Sequence, residues 1–278
     1  MPYVLELHAF LLSMTARQRE IGSFIFIGYV FIGLLVAGCL APPALGQSLT
    51  PDRPGFGTSS ASVMTGELQV EGGYRFSKEH AERQHALGEM LLRYGFSEWL
   101  ELRGGLNSFV LVGDPPFDER GYVGTSLGAK IPLLAPAGAP AETANLSVVA
   151  MTTLANATGS FETDGERVRQ EARLAYDYPL GERWTVSTNA GLRFFFIDKP
   201  DTEWLASGTL AANLSARGAA YVGYAGIFAD DGASDTYAEA GLTYNLARTT
   251  QVDVHGGLRL GDNDRSNFFA GVGFVQRL

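Results

Sequence analysis

The sequence predicts an all-β fold: a transmembrane, antiparallel, up-and-down β-barrel of about 12 strands behind a cleaved N-terminal signal peptide. Three observations lead there. Beyond residue 65 the chain is filled by segments whose polarity alternates with period two, so each carries one polar and one apolar face. These segments exceed the roughly five to six residues usual for soluble strands and match the roughly nine to eleven of a tilted membrane-crossing strand. The composition is rich in glycine (34 residues) and aromatics (11%), poor in charge (18%), and has a mean hydropathy of only +0.03. That average hydropathy excludes a bundle of membrane helices.

The N-terminus predicts export. The run from Phe24 to Leu40 holds no charge, follows Arg17, Arg19 and Glu20, and exits through the small residues Ala44 and Gly46. A basic region, an apolar region and a small-residue exit make residues 1–46 a signal peptide, excluded from the fold. Leu35-Val36-Ala37-Gly38-Cys39 also resembles a lipobox, so lipidation at Cys39 competes with cleavage after Gly46. Residues 47–65 form a periplasmic arm, and residues 66–278 form the barrel. With Pro51, Pro54, Ser59 and Ser60 the arm has no core of its own and suits an extended segment that plugs the periplasmic mouth.

The expected strands are 66–77, 85–96, 99–111, 120–132, 142–154, 167–179, 183–197, 202–215, 217–228, 234–246, 249–260 and 265–277. In the first, Glu67, Gln69, Glu71, Gly73 and Arg75 oppose Leu68, Val70, Gly72, Tyr74 and Phe76. Alternation alone does not say which face is inside. A soluble sandwich packs the apolar face inward, whereas a membrane barrel turns it to lipid.

Three features choose the barrel. The polar face carries neighbouring charges of both signs, which suits a narrow lumen closed by ion pairs. Aromatics such as Trp99, Tyr178, Trp184, Trp204 and Tyr244 gather at strand ends, like interfacial girdles. Lysine, the usual guard of soluble sheet edges, is scarce.

The lumen-lining candidates are Glu67, Glu71, Arg75, Glu89, Arg93, Glu101, Arg103, Lys130, Arg173, Arg193, Glu239, Asp253, His255 and Arg259. Even-numbered connections are mostly tight, as at Ser97-Glu98 and Gly181-Glu182. Odd-numbered ones, beginning with 78–84 and 113–119, are often longer and polar, and all but the first are acidic. They give an external rim of Asp114, Asp118, Asp164, Asp230, Asp231 and Asp235.

Several functions are excluded or disfavoured. A net charge of -9 opposes a phosphate-binding surface, so no nucleic-acid partner is expected. A single cysteine allows no intramolecular disulfide and no zinc spacing. No metal, cofactor or catalytic set is expected. The only acid/base pair to nominate is Asp253 with His255, whose neighbours are Gly256 and Gly257 rather than a serine.

The arm Thr50-Pro51-Asp52-Arg53-Pro54-Gly55-Phe56, the strand opening Gly66-Glu67-Leu68-Gln69-Val70-Glu71, the turn Phe96-Ser97-Glu98-Trp99-Leu100-Glu101-Leu102-Arg103 and the closing Asp253-Val254-His255-Gly256-Gly257-Leu258 and Gly271-Val272-Gly273-Phe274 resemble one family of outer-membrane barrels. It is the family named for the meta-pathway of phenol degradation, whose members are commonly labelled transporters. The resemblance spans nearly all of the chain after the signal peptide. The final Leu278 departs from the aromatic residue that usually ends such barrels.

The resemblance implies a channel or transporter of the cell outer membrane that passes small molecules passively, hydrophobic or aromatic ones among them, through a mixed-charge lumen. The expected partners are outer-membrane lipid, lipopolysaccharide bridged by divalent ions to the acidic rim, the barrel-assembly machinery and a small-molecule solute. A non-conducting structural or surface-binding barrel is the alternative, with a barrel enzyme behind it.

Overall fold

The computed structural model describes residues 49, 51–53, 55–140, 143–162, 168–196, 201–230, 233–261 and 267–278. The expected signal peptide with Cys39, and the rim residues Asp164 and Asp231, lie outside the described residues. The strands are β1 (Leu68–Glu79), β2 (Glu82–Ser97), β3 (Leu100–Leu106), β4 (Phe109–Val112), β5 (Glu119–Tyr122), β6 (Ser126–Pro132), β7 (Asn145–Thr153), β8 (Val168–Leu180), β9 (Trp184–Phe196), β10 (Asp201–Asn213), β11 (Gly218–Ala229), β12 (Ser234–Ala247), β13 (Thr250–Leu260) and β14 (Phe268–Arg277). One short 3-10 turn, Gly159–Phe161, lies between β7 and β8.

Every strand pairing is antiparallel, and the sheet closes on itself because β1 bonds to both β14 and β2. The closed ring holds 12 strands: β1, β2, β3 and β6 to β14. β4 and β5 make a hairpin that prolongs β3 and β6 beyond the ring, with β4 still paired to β2. The expected strands 99–111 and 120–132 are therefore each present in two pieces. The first break falls at Asn107 and Ser108, residue types whose side chains compete with ladder hydrogen bonds. Val123 N donates to Ser108 O at 3.1 Å across the two breaks. The expected first loop, 78–84, is instead a tight turn at His80 and Ala81, because β1 and β2 stay paired up to Glu79 and Glu82.

One irregularity re-aims a whole segment. Opposite Glu71 to Gly73 the register of β2 slips, with Gly88 at φ 103° and Glu89 at φ 40°. An inserted residue flips the side-chain alternation beyond it. Arg93 and Leu91 share the inner face on one side of the bulge, and Ala86 and Gln84 do so on the other. His85 thereby lands outside, where its Nδ1 lies 2.8 Å from the Tyr74 hydroxyl beside Phe76.

The burial pattern is inverted relative to a water-soluble protein. Glu71, Arg93, Glu101 and Lys130 are 0% exposed, while Val222 and Leu242 are 58% and 52% exposed. In water such an apolar belt would be costly; facing acyl chains it is at no disadvantage. Trp99, Trp184 and Trp204 are exposed at strand ends, where an interfacial girdle belongs. The exception is the β4–β5 extension, where Ala86, Val110 and Val112 form a small apolar cluster with Val123 and Phe161.

Candidate functional site

The candidate site is the lumen, and residues from before β1 occupy it. The connections β2–β3, β6–β7, β8–β9, β10–β11 and β12–β13 and both described ends of the barrel lie on one rim, the turn rim; the remaining connections lie on the opposite, loop rim. From residue 64 the arm runs inward, reverses near Gly55 and Phe56, and returns to Pro51. Gly55 sits at φ 108°, a conformation other residues rarely adopt, and a Cβ there would lie 2.9 Å from Glu239 Oε1.

Toward the turn rim the arm is held by a buried ionic network. The Asp52 carboxylate lies 3.2 Å from Lys130 Nζ and 3.4 Å from Arg93 Nη1, and it also accepts from Arg103 Nη2. Arg93 donates at 2.9 Å to Glu71 and, through Nε and Nη2, to Glu101. Three carboxylates thus face three cations, and the cluster is neutral only with Asp52 in place. Burial alone would raise the Asp52 pKa, but Arg103, Arg93 and Lys130 outweigh it and hold the carboxyl far below the usual range. Backbone groups add to this grip. Glu71 accepts from the amides of Asp52 and Arg53, Glu101 Oε2 accepts from Val63 N at 2.8 Å, and Lys130 Nζ donates to Ser59 O and Ala61 O.

The apex of the arm meets the half nearer the loop rim. Arg53 Nη1 bonds Glu89 at 2.9 Å, and its Nε lies 3.6 Å from Asp253. Despite burial, Asp253 and Glu89 raise the Arg53 pKa further. The Phe56 ring stacks on Tyr237 at 4.7 Å and meets Phe269 edge-on at 5.5 Å. Its amide donates to Glu239, and its carbonyl accepts from Arg173 Nη1 at 2.9 Å. On the return leg Thr58 exchanges two hydrogen bonds with Asn189, and Asp177 Oδ2 accepts from Ser59 Oγ, Ser60 N and Ser60 Oγ.

The structure distributes the other sequence candidates around this plug. Arg193 bridges Glu171 and Glu203, and Arg173 also bonds Glu171. Arg75 pairs with Glu89. Glu67 pairs with Arg277 at the turn rim, and Arg259 pairs with Asp235 and Glu79 at the loop rim. His255 Nδ1 lies 3.3 Å from Asp253 Oδ1, under the same carboxylate that Arg53 approaches. Of the rim candidates, Asp114 pairs with Arg83 and Asp118 N donates to Val112 O in the β4–β5 turn. Asp230 N donates to Thr202 O. The residues that sequence reasoning missed are the arm's own: Asp52, Arg53, Phe56 and the Thr58–Ser60 segment.

The lumen walls are electrostatically unequal. Toward the turn rim, the ionic network occupies β1, β2, β3 and β6. The facing wall, β9 to β12, presents Thr185, Ser187, Thr209, Ala211 and Thr243. A cavity of about 250 Å³ separates that wall from the arm. A second, of about 260 Å³, opens at the turn rim and shares Pro51, Ser59, Asp177 and Thr185 with the first. A third, of about 190 Å³, lies on the loop side of the apex among Arg53, Phe56, Arg75, Glu89, Glu239, His255 and Phe269.

Comparison with known proteins agrees with this architecture. The family described as "Putative MetA-pathway of phenol degradation" matches residues 51–278. An outer membrane channel from Pseudomonas putida F1 superposes with a TM-score of 0.60 at 14% identity, covering 81% of this chain and 99% of that one. The NanC porin does so with a TM-score of 0.51 at 9% identity, covering 76% of this chain and all (100%) of that one. At such identities the likeness is one of fold. No curated protein matches the sequence.

Proposed function

This chain belongs to the family described as "Putative MetA-pathway of phenol degradation", and from that premise we propose that it is a passive outer-membrane channel for small molecules, hydrophobic or aromatic ones among them. The observation that carries the reading is a closed barrel with a polar interior, in which cavities flank the docked arm on both its turn-rim and loop-rim sides. The chemistry asked of the protein is modest: a desolvated, shape-limited passage, with no bond made or broken. The apolar belt supplies the lipid contact. Assembly machinery and lipopolysaccharide belong to this reading as partners.

A second reading, a non-conducting structural or surface-binding barrel, is favoured by the fully buried ionic network that docks the arm. Purified refolded protein in planar bilayers separates the two. Discrete conductance steps from a heat-modifiable barrel support the channel. Silence from wild type and from variants with a loosened arm supports the structural barrel.

A further inference from the structure

We propose that the outer face of the barrel at the β1–β2 turn directly binds the phosphate of an outer-leaflet glycolipid, the lipid A part of lipopolysaccharide. Lys78 and Arg83 supply the cations, and the rings of Phe76, Phe117 and Phe268 seat the acyl chains. The inference rests on the outer-membrane reading above, in which the loop rim faces outward, and adds where and how the lipid is held.

Three observations converge. First, the register sets two cations side by side on the outer face. Lys78 lies directly opposite Arg83 on β2 and Phe268 on β14. The β1–β14 register runs unbroken from Gln69 to Lys78, so Lys78 shares a face with Tyr74 and Phe76. The next pair, Glu79 and Glu82, falls on the other face, where Glu79 lies 3.7 Å from Arg259. The turn thus sends its cations outward and its carboxylates inward. Arg83 gives Nη1 to Asp114, while Lys78 makes no ion pair among the described residues. Asp118, the other carboxylate of the β4–β5 turn, packs against Gly113. Like charges directly opposite each other destabilise a sheet, and an anion between them removes that cost.

Second, the pair stands at the right depth. Lys78 is ten residues beyond Leu68 on β1. At about 3.3 Å per residue and a tilt of about 40° that is a rise of about 25 Å, the height of the apolar band of such barrels. Lys78 and Arg83 therefore meet the headgroups.

Third, the layer beneath them is aromatic. The His85 ring lies 5.2 Å from Phe76 and 5.7 Å from Phe117, and Phe76 lies 5.8 Å from Phe268. The polar groups of this layer, the Tyr74 hydroxyl and His85 Nδ1, satisfy each other at 2.8 Å. In the row of Tyr74, Val272 is 53% exposed. Toward the loop rim the outer face thus passes from apolar to aromatic to cationic, the order in which a phosphorylated lipid presents acyl chain, interface and phosphate. Lys78 Nζ then donates to the phosphate as a point charge and Arg83 through the guanidinium nitrogens that Asp114 leaves free. No divalent ion is required, in contrast to a lipid bridged to the acidic rim.

The test is native mass spectrometry of the refolded, heat-modifiable barrel in EDTA, titrated with bisphosphorylated lipid A, dephosphorylated lipid A and inorganic phosphate. Wild type should bind the phosphorylated lipid about twentyfold more tightly than the dephosphorylated one. Lys78→Gln, which leaves the Arg83–Asp114 pair intact, should cut that preference about fivefold, and adding Arg83→Gln should abolish it. A preference that survives in the folded double variant, or none in wild type, overturns the site. A preference seen only without EDTA assigns the lipid to divalent bridging and also overturns it. Inorganic phosphate that displaces lipid A at equal concentration overturns the lipid as occupant. Solute swelling of liposomes free of lipid A reads the channel separately: absence of wild-type flux overturns that reading and leaves the lipid site standing.

Discussion

Removing the Asp52 carboxylate should unlatch the arm. In Asp52→Asn the side chain keeps its size, but Arg93, Arg103 and Lys130 are left facing only Glu71 and Glu101. Breaking a buried ion network by deleting one partner costs about 3–5 kcal/mol, because a charge is stranded rather than merely unpaired. If that cost falls on docking, the docked-to-free ratio drops by about two to three and a half orders of magnitude.

Two assays read this change. Limited proteolysis measures exposure of residues 51–64, which in the docked state are shielded inside the lumen. Single-channel recording measures the cross-section that the arm obstructs. Asp52→Asn should be nicked faster and conduct more, with its barrel still heat-modifiable. Adding Lys130→Met restores charge balance and should recover much of the protection, the coupling expected of direct partners. Unchanged proteolysis and conductance in Asp52→Asn would refute the latch. An equal loss in the double variant would show that the network is not electrostatically coupled.

Three further outcomes follow from the same geometry. Val222→Arg places a charge on the exposed belt and should destabilise the barrel by about 2–4 kcal/mol in urea titrations from liposomes; a cost near zero would mean this face does not meet lipid. Fluorescence of Trp99, Trp184 and Trp204 should be quenched by lipids brominated near the headgroup; quenching only by aqueous acrylamide would oppose the girdle assignment. Because Asp52 has a docked pKa far below its free value of about 3.9, its contribution to docking is complete above that value and is lost as pH falls below it. Arm protection should hold between pH 8 and 5 and then weaken by up to about tenfold per unit below pH 4; a transition near neutrality would point to another group.

The barrel was legible in the sequence because its defining property is local. Period-two alternation, tight turns and strand length read directly from neighbouring residues, and the ring of 12 strands agrees with the expected count. Local reading failed where a backbone irregularity intervened. The bulge at Gly88 and Glu89 moves His85 to the outer face, and nothing in the alternation of that segment announces the flip. Asn107-Ser108, by contrast, carried the break in its residue types.

An extended plug is legible in the arm's prolines and serines, but the lumen contacts its residues make are not, for a different physical reason. The arm has no periodicity, and its partners are distant in sequence: Thr58 reaches Asn189, and Phe56 reaches Glu239. A signal did exist in the charges. Arg93, Arg103 and Lys130 outnumber Glu71 and Glu101 on adjoining strands, and a buried cluster with a surplus cation requires a carboxylate from elsewhere. Asp52, in an otherwise sparsely charged arm, was the available one.

Solute flux through the unmodified protein tests the channel most directly. Liposomes carrying the refolded, heat-modifiable barrel should swell in isosmotic erythritol faster than protein-free liposomes. Swelling indistinguishable from protein-free liposomes, with the barrel demonstrably folded and inserted, would contradict the channel.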